Sequence, residues 1–235
     1  MATKDDVTIG ILAMQGAFAE HQVILQKLSI KRKVVTTLVR TMDDLERCDA
    51  LIIPGGESTT IALLARLAGL LEPLRAFVRK KPVWGTCAGA ILLSSSVEGA
   101  KKGGQELLGG ISVTTARNGW GSQVESFEAA LNVDGLRDSL KPFTGVFIRA
   151  PVILSISPTA LEPPVQVIAR LSTELLPKNQ TLIPADEDNT DPRDTRCVVA
   201  LRQGHHLLTT FHPELTRDDR FHEYFVRECV LPSLI

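Results

Sequence analysis

Apolar and polar positions in the first hundred residues follow two alternating patterns. Short, nearly continuous apolar runs begin at Val7, Lys33, Asp49 and Pro82, which is typical of strands that are buried on both faces. Between these runs, apolar residues recur at the spacing of a helix face. The predicted helices cover residues 17–28, a short segment opening at Thr41, residues 58–80 with a break near Gly69 and Pro73, and residues 88–96.

This alternation of strand and helix with short loops predicts an α/β fold. We expect a mostly parallel central sheet flanked by helices on both faces. Functional groups of such sheets gather at the carboxyl ends of the strands. Three loops of this kind are predicted to meet at one edge of the sheet: Met14-Gln15-Gly16, Gly55-Gly56-Glu57-Ser58 and Gly85-Thr86-Cys87.

The second half of the chain has a different pattern. Residues 109–131 alternate in polarity and contain Asn118-Gly119, which predicts a hairpin, and residues 197–215 predict a second hairpin with its turn near Gly204. Residues 219–234 predict a closing amphipathic helix. The polar stretch around residues 172–196, acidic near residues 185–194, predicts a surface-loop insertion. We expect one domain over residues 1–235.

Composition and charge exclude several classes of protein. Hydrophobic residues make up 44% and the formal net charge is −1, so a sizeable core is expected and a nucleic-acid-binding surface is not. The first apolar run is too short for a signal peptide and no run is long enough to cross a membrane. We therefore expect a cytoplasmic protein without membrane contact. The four cysteines lack the spacing of a zinc site or a disulfide framework, and neither a metal nor a cofactor is expected.

Cys87 occupies a position where chemistry is expected. The sequence Gly85-Thr86-Cys87-Ala88-Gly89 lies between a predicted strand and a predicted helix, which is the cysteine form of a nucleophile elbow. Glycines two positions before and two after leave room for a tight turn, and the helix N-terminus favours a thiolate. The alternative is a cysteine that only packs in the core.

A nucleophile of this kind needs a general base and a group that orients the base. His212 precedes Pro213, which predicts an extended backbone in which His212 and Glu214 point to the same side. Glu214 would then fix the tautomer of His212. The other histidines, for which we predict surface positions without a role, are His21, His205, His206 and His222.

The Pro54-Gly55-Gly56-Glu57-Ser58 turn has two compatible interpretations. Backbone N–H groups of Gly55 and Gly56, with that of Ala88 after the nucleophile, would form an oxyanion hole. The same turn would also serve as an ordinary connection from strand to helix, with Ser58 as the helix N-cap.

These motifs together carry a family resemblance. The blocks GILAMQGAFAEH, LIIPGGESTTI, GTCAG, ARNGWGSQVESFEA, GVFIRAP and VALRQGHHLLTTFHPELT occur in this order over almost the whole chain. They resemble the class I, or triad-type, glutamine amidotransferases and, within them, the family of glutaminase subunits of pyridoxal 5′-phosphate synthases.

The resemblance implies an activity and a partner. A member of this family hydrolyses L-glutamine to L-glutamate and ammonia, through a thioester on the cysteine. It delivers the ammonia to a separate synthase subunit that makes pyridoxal 5′-phosphate, the vitamin B6 cofactor. By motif position, the resemblance makes Cys87 the nucleophile, His212 the base and Glu214 the orienting group. It also implies that Gln15 completes the oxyanion hole when the synthase docks. The residues that it implies hold glutamine are Gly56, Glu57, Ser58, Arg117, Ile148 and Arg149.

Three alternatives stay open from the sequence. The chain could serve a different ammonia acceptor, such as an imidazole-forming cyclase. It could be a non-catalytic regulatory member of the fold, although its triad residues are intact. It could also be a cysteine peptidase on a similar fold, which would hydrolyse peptides instead of free glutamine.

Overall fold

A computed structural model describes residues 6–99, 104–117, 126–176 and 194–234. The Asn118-Gly119 turn and most of the predicted insertion, including residues 185–193, lie outside these ranges. The strands are β1 (Val7–Leu12), β2 (Val34–Val39), β3 (Ala50–Ile53), β4 (Val83–Thr86), β5 (Ser94–Glu98), β6 (Ile111–Ala116), β7 (Ser126–Leu131), β8 (Phe143–Ile148), β9 (Val152–Ile156), β10 (Val165–Arg170), β11 (Val198–Gln203) and β12 (His206–Thr209).

Within the described ranges, six α-helices connect or cover these strands, together with short helical turns. The α-helices are α1 (Phe18–Lys27), α2 (Met42–Glu46), α3 (Ser58–Leu67), α4 (Leu71–Val78), α5 (Ala88–Leu93) and α6 (Arg220–Tyr224). The last of them continues as a π-helix over Phe225–Val230 and a 3₁₀ turn over Leu231–Leu234, and further 3₁₀ turns cover Thr173–Leu175, Thr195–Cys197 and Pro213–Leu215.

A seven-stranded sheet forms the centre, in the order β10-β11-β12-β4-β3-β1-β2. The strands β2, β1, β3, β4 and β12 are parallel, whereas β11 and β10 add an antiparallel edge. The predicted fold class, a mostly parallel sheet with an antiparallel hairpin region, is therefore confirmed. The β11–β12 hairpin turns at Gly204, which has a φ of 57°, as the sequence predicts.

Alternate residues of the central strands enter two separate cores. In β3, Ile52 packs on one side of the sheet with α1 and α6, whereas Leu51 and Ile53 pack on the other side with α3 and α4. Both faces are covered, which explains why β3 is apolar at every position. The carboxyl ends of the parallel strands β1, β3, β4 and β12 meet at one edge of this sheet.

Two smaller sheets lie beside the central one, and they correct one prediction. The strands β5, β6 and β9 form one sheet, and β7 pairs with β8 in the other. The strands on either side of Asn118-Gly119, β6 and β7, therefore do not pair with each other, and the predicted hairpin between them is wrong. A turn-forming dipeptide shows where the chain can turn, but the partners of each strand depend on distant segments.

Two helix predictions have different outcomes. The long helical segment breaks between α3 and α4 at Gly69, which has a φ of 70°, as predicted. The closing helix is not amphipathic in its first two turns, where Arg220 to Val226 are all buried. It is buried because it packs under the central sheet beside β4 and β12.

Candidate active site

Cys87 stands on a strained corner between β4 and α5. It is the N-cap residue of α5, and its backbone has a φ of 48° and a ψ of −100°. Such a conformation costs a non-glycine residue of order 1–3 kcal/mol and persists only where surrounding contacts enforce it. One of these contacts is the hydrogen bond from Cys87 N to Thr209 O, at 2.9 Å, which ties the corner to β12.

Gly85 and Gly89 must be glycines because neither position has room for a Cβ atom. A Cβ at Gly85 would lie 2.4 Å from Gly89 O, and a Cβ at Gly89 would lie 2.0 Å from Ile53 O. Both are collisions with backbone, which cannot move aside as a side chain would. The steric reason that the sequence suggests, room for the tight turn, therefore holds for Gly85, whereas Gly89 is required because the neighbouring strand β3 lies against it.

We expect Gly89→Ala to lower the free energy of unfolding by at least about 3 kcal/mol, at the upper end of overpacking costs, because the new methyl group meets the β3 backbone. Gly69→Ala is the matched control. Gly69 also has a positive φ, but nothing lies within 4 Å of an added Cβ, so it should cost only about 1–2 kcal/mol. Urea denaturation of both variants measures the difference, and equal losses would contradict the steric explanation.

His212 and Glu214 form a buried pair next to the corner. His212 Nδ1 lies 2.7 Å from Glu214 Oε1, and His212 N donates to Val146 O of β8 at 2.8 Å. The pairing was predicted from an extended backbone, which is wrong in detail. Pro213–Leu215 is a 3₁₀ turn, and this turn brings the carboxylate back to the ring.

The charge state of His212 follows from its neighbours. Burial alone would lower its pKa, but hydrogen bonds and charge interactions with Cys87 and Glu214 outweigh burial and raise the pKa of His212 to about 10. His212 therefore favours the imidazolium form. A thiolate stabilised by an adjacent imidazolium is a strong nucleophile at neutral pH.

Close backbone packing joins the loop after β1 to the loop after β3. A Cβ at Gly16 would lie 1.7 Å from Gly55 O, and one at Gly55 would lie 2.2 Å from His212 Cε1. Gln15 Oε1 accepts a hydrogen bond from Glu57 N at 2.8 Å and fills the space where a Cβ of Gly56 would lie. The loops that the sequence assigns to one sheet edge are therefore in contact around His212.

Glu57, and not Ser58, is the N-cap of α3. The Glu57 carboxylate accepts hydrogen bonds from Thr60 N at 2.7 Å and from the Thr59 hydroxyl, and it pairs with Arg117 at 2.6 Å. Partial burial would raise its pKa, but the bonds from Thr59, Arg117 and Thr60 lower the pKa of Glu57 to about 2. A carboxylate side chain accepts the bond from the helix N-terminus as well as a serine hydroxyl would.

Gln105 is hydrogen-bonded to Arg117 and Ser58 beside Glu57, and the sequence did not indicate it. Its Oε1 accepts from Arg117 at 2.8 Å and from Ser58 Oγ at 3.2 Å. It lies in an irregular segment before β6, where no motif or periodicity singles it out. Only the folded chain reveals that it links these two predicted substrate-binding residues.

The low pKa of Glu57 gives a pH-dependent contribution to stability. A carboxylate whose pKa falls from 4.5 to about 2 on folding stabilises the protein above pH 4.5, and this contribution is lost as pH falls toward 2. We therefore expect Glu57→Gln to be destabilising near neutral pH, with the deficit shrinking below pH 4.5. Urea titrations from pH 7 to pH 3 measure it. Gln105→Ala, which removes an uncharged partner, should show a constant deficit, and a constant deficit for Glu57→Gln would contradict the assignment.

Ile148 and Arg149 approach the cysteine from β8. The Cys87 thiol lies 3.7 Å from Ile148 O, and the next residue, Arg149, is exposed with a φ of 45°. Positive φ at a non-glycine residue is uncommon and clusters at functional sites. The strained residue Arg149 thus follows directly on the carbonyl that faces the sulfur.

The structure corrects the prediction for the other histidines. His21 and His222 are completely buried, and His206 is buried as well, so none of these three is a surface residue. All four cysteines are buried, and burial raises the pKa of Cys48 to about 11 and that of Cys229 to about 12. Neither thiol is suited to be a nucleophile.

The described residues offer neither a metal site nor a membrane-spanning helix. No group of three or more histidine, cysteine, aspartate or glutamate side chains in these ranges is arranged to hold a metal ion. No helix in the same ranges is both long and apolar enough to cross a membrane.

A mostly parallel sheet that presents a strained cysteine to a His–Glu pair is the arrangement of a class I glutamine amidotransferase. Comparison with known proteins agrees with this class. The model of the SNO glutamine amidotransferase family matches residues 11–231, and the chain belongs to this family.

Curated relatives and a solved structure extend the comparison. The probable pyridoxal 5′-phosphate synthase subunit PDX2 of Arabidopsis thaliana is 43% identical, with 94% of this chain and 85% of the relative covered. Subunit PdxT of pyridoxal 5′-phosphate synthase from Chloroflexus aurantiacus is 42% identical, with 94% and 99% covered. A crystal structure of a glutamine amidotransferase superposes with a TM-score of 0.70 at 41% identity, with 93% and 96% covered.

Proposed function

We propose that this chain is the glutaminase subunit of a pyridoxal 5′-phosphate synthase. It hydrolyses L-glutamine to L-glutamate and ammonia and delivers the ammonia to a separate synthase subunit. The observation that carries this proposal is the strained Cys87 beside the buried His212–Glu214 pair, where Cys87 and Glu214 together raise the pKa of His212. The names of the relatives support the choice of ammonia acceptor.

The proposed reaction has two steps. The Cys87 thiolate attacks the side-chain amide carbon of glutamine, the C–N bond breaks, and His212 gives its proton to the leaving ammonia. A thioester then joins Cys87 to the glutamyl group. In the second step His212 takes a proton from water, the resulting hydroxide attacks the thioester, and glutamate leaves as the Cys87 thiolate is restored.

Binding of the amino-acid end of glutamine is assigned to the rim of the site. Glutamine carries one carboxylate and one ammonium group, and the ion pair of Glu57 with Arg117 offers both complementary charges in one place. Ser58 lies in the same cluster through Gln105. We propose that Gly56, Ile148 and Arg149 complete the rim around the substrate.

The oxyanion hole is proposed from backbone donors at the same edge. Gly55 and Gly56 stand against His212 and Gln15 respectively, and Ala88 follows the nucleophile at the start of α5. The Gln15 side chain binds Glu57 N in this structure. We propose that docking of the synthase subunit rearranges this contact, so that the loop of Gln15 completes the oxyanion hole.

A glutaminase assay with and without the synthase subunit tests the proposal. We expect glutamate release that rises when the partner is added. Release from glutamine without formation of a complex with the synthase would favour a different ammonia acceptor, and no release in the complex would favour a non-catalytic member of the fold. The single-domain organisation and the cytoplasmic location stay predictions.

A further inference from the structure

Behind the His212–Glu214 pair lies a second buried polar group that the proposed reaction does not use. His21 of α1 and His222 of α6 are both completely buried. His21 Nδ1 lies 2.8 Å from His222 Nε2, whereas His21 Nε2 lies 3.4 Å from Glu214 Oε2 and 3.4 Å from Thr86 Oγ1. A continuous line of polar contacts therefore runs from His222 through His21 and Glu214 to His212.

Only one of the two carboxylate oxygens of Glu214 has a hydrogen-bond partner among the described residues. Its Oε1 faces His212, but its Oε2 is buried and accepts no hydrogen bond of ordinary length and angle from the residues that the structure describes. A buried carboxylate oxygen without a donor is costly. The 3.4 Å contact places His21 Nε2 where a small approach would supply that donor.

The tautomers of the two histidines follow from the same contacts. Burial, aided by the charges of His222 and His212, lowers the pKa of His21 well below its usual range, and burial lowers the pKa of His222 to about 3, so both rings favour the neutral form. His222 Nδ1 is buried without a partner among the described residues. An unpaired N–H at this nitrogen would cost more than an unpaired lone pair, so the His222 proton is assigned to Nε2. His222 therefore donates from Nε2 to His21 Nδ1, which leaves the His21 proton on Nε2, facing Glu214.

The rings are also held in orientation. Trp84 of β4, three residues before Cys87, packs edge-on against both, with ring centroids 5.5 Å from His21 and 4.9 Å from His222. The Trp84 indole N–H in turn donates to Thr209 Oγ1 at 3.2 Å. The strand that leads into the elbow thus fixes the two imidazoles behind it.

We propose that His21 is a positioning residue that donates a hydrogen bond from Nε2 to Glu214, and that His222 sets its tautomer. This inference rests on the proposed glutaminase function. With a donor on each oxygen, the Glu214 carboxylate cannot rotate, so it keeps the His212 imidazolium aimed at the sulfur and at the leaving ammonia. His21 touches neither substrate nor Cys87 in this proposal.

A pair of amide substitutions tests the proposal. The side-chain nitrogen of glutamine can reach the place of an imidazole Nε2, whereas that of asparagine reaches only the place of Nδ1. In the complex with the synthase subunit, we expect H21N to lower kcat for glutamine by about 10- to 100-fold, the effect of losing one charge-assisted hydrogen bond, with KM changed by less than about twofold. H21Q should restore kcat to within about threefold of the parent.

The control and the contrary outcomes are defined by the same assay. H206N removes another buried imidazole, outside this line of contacts, and should lower the melting temperature without lowering kcat. Equal kcat values for H21N and H21Q, or a parent-like kcat for H21N, would overturn the positioning role. Should H21N fail to fold, H222L removes the donor to His21 and carries the same expectation. The proposed function fails separately, if the parent complex releases no glutamate.

Discussion

Replacing Cys87 by alanine is expected to abolish glutamate release from glutamine, with kcat/KM lowered by about 10⁵-fold or more, as for removal of the nucleophile in other triad enzymes. The physical reason is that no other group can form the thioester. Alanine fits the site sterically, although it keeps the strained φ of 48°. The variant should therefore fold and bind glutamine. A coupled glutamate assay measures activity, and calorimetry with glutamine measures binding.

Chemical labelling gives the control for this prediction. A chloroketone analogue of glutamine should alkylate Cys87, which stands at the strained corner, and spare Cys48, Cys197 and Cys229, whose pKa values are raised by burial. Peptide mass spectrometry identifies the labelled residue. Labelling spread over all four cysteines, or glutamine turnover by Cys87→Ala in the complex, would remove the basis of the mechanism.

Glu214→Gln is expected to lower kcat by about 10³- to 10⁴-fold, close to the loss seen when the orienting carboxylate of a Ser–His–Asp triad is made an amide. The carboxylate raises the pKa of His212 and accepts its Nδ1 proton. A glutamine amide can instead donate to Nδ1, which places the ring proton on the nitrogen that faces Cys87. The base is then in the wrong tautomer.

The measurement separates orientation from folding. Single-turnover assays should show slow thioester formation, while the melting temperature stays within a few degrees of the parent because the amide has the same shape. His206→Gln is the matched control, because it changes a buried polar residue outside the line of polar contacts from His222 to His212. A Glu214→Gln enzyme with parental kcat would mean that His212 needs no carboxylate, and the triad assignment would fall.

Much of the catalytic edge could be predicted because its residues are local in sequence. The elbow is encoded by five consecutive residues, and the collision of a Cβ at Gly85 with Gly89 O follows from that one tight turn, whereas the collision at Gly89 depends on Ile53 of β3. The His212–Glu214 pair is likewise separated by a single residue. The backbone conformation between them was predicted wrongly, because a 3₁₀ turn and an extended segment both allow the pairing.

Features that depend on distant segments could not be predicted. The 2.8 Å contact of His21 with His222 joins residues 201 positions apart, and no local spacing in the sequence relates the two. The sequence assigns the cap of α3 to Ser58 because serine is a common cap. In the structure the cap is Glu57, which pairs with Arg117 from the segment after β6, and Gln105 accepts a hydrogen bond from the same Arg117.

The sequence by itself determined the α/β order of elements, the cysteine corner and the His–Glu pair, because each is encoded within one strand, one turn or one short motif. Only the tertiary structure decided which strands pair in the smaller sheets, which histidines are buried, and how Gln15, Gly55 and Glu57 meet. The reason is that burial and charge depend on which faces of separate elements pack together, and that choice is made by the whole chain.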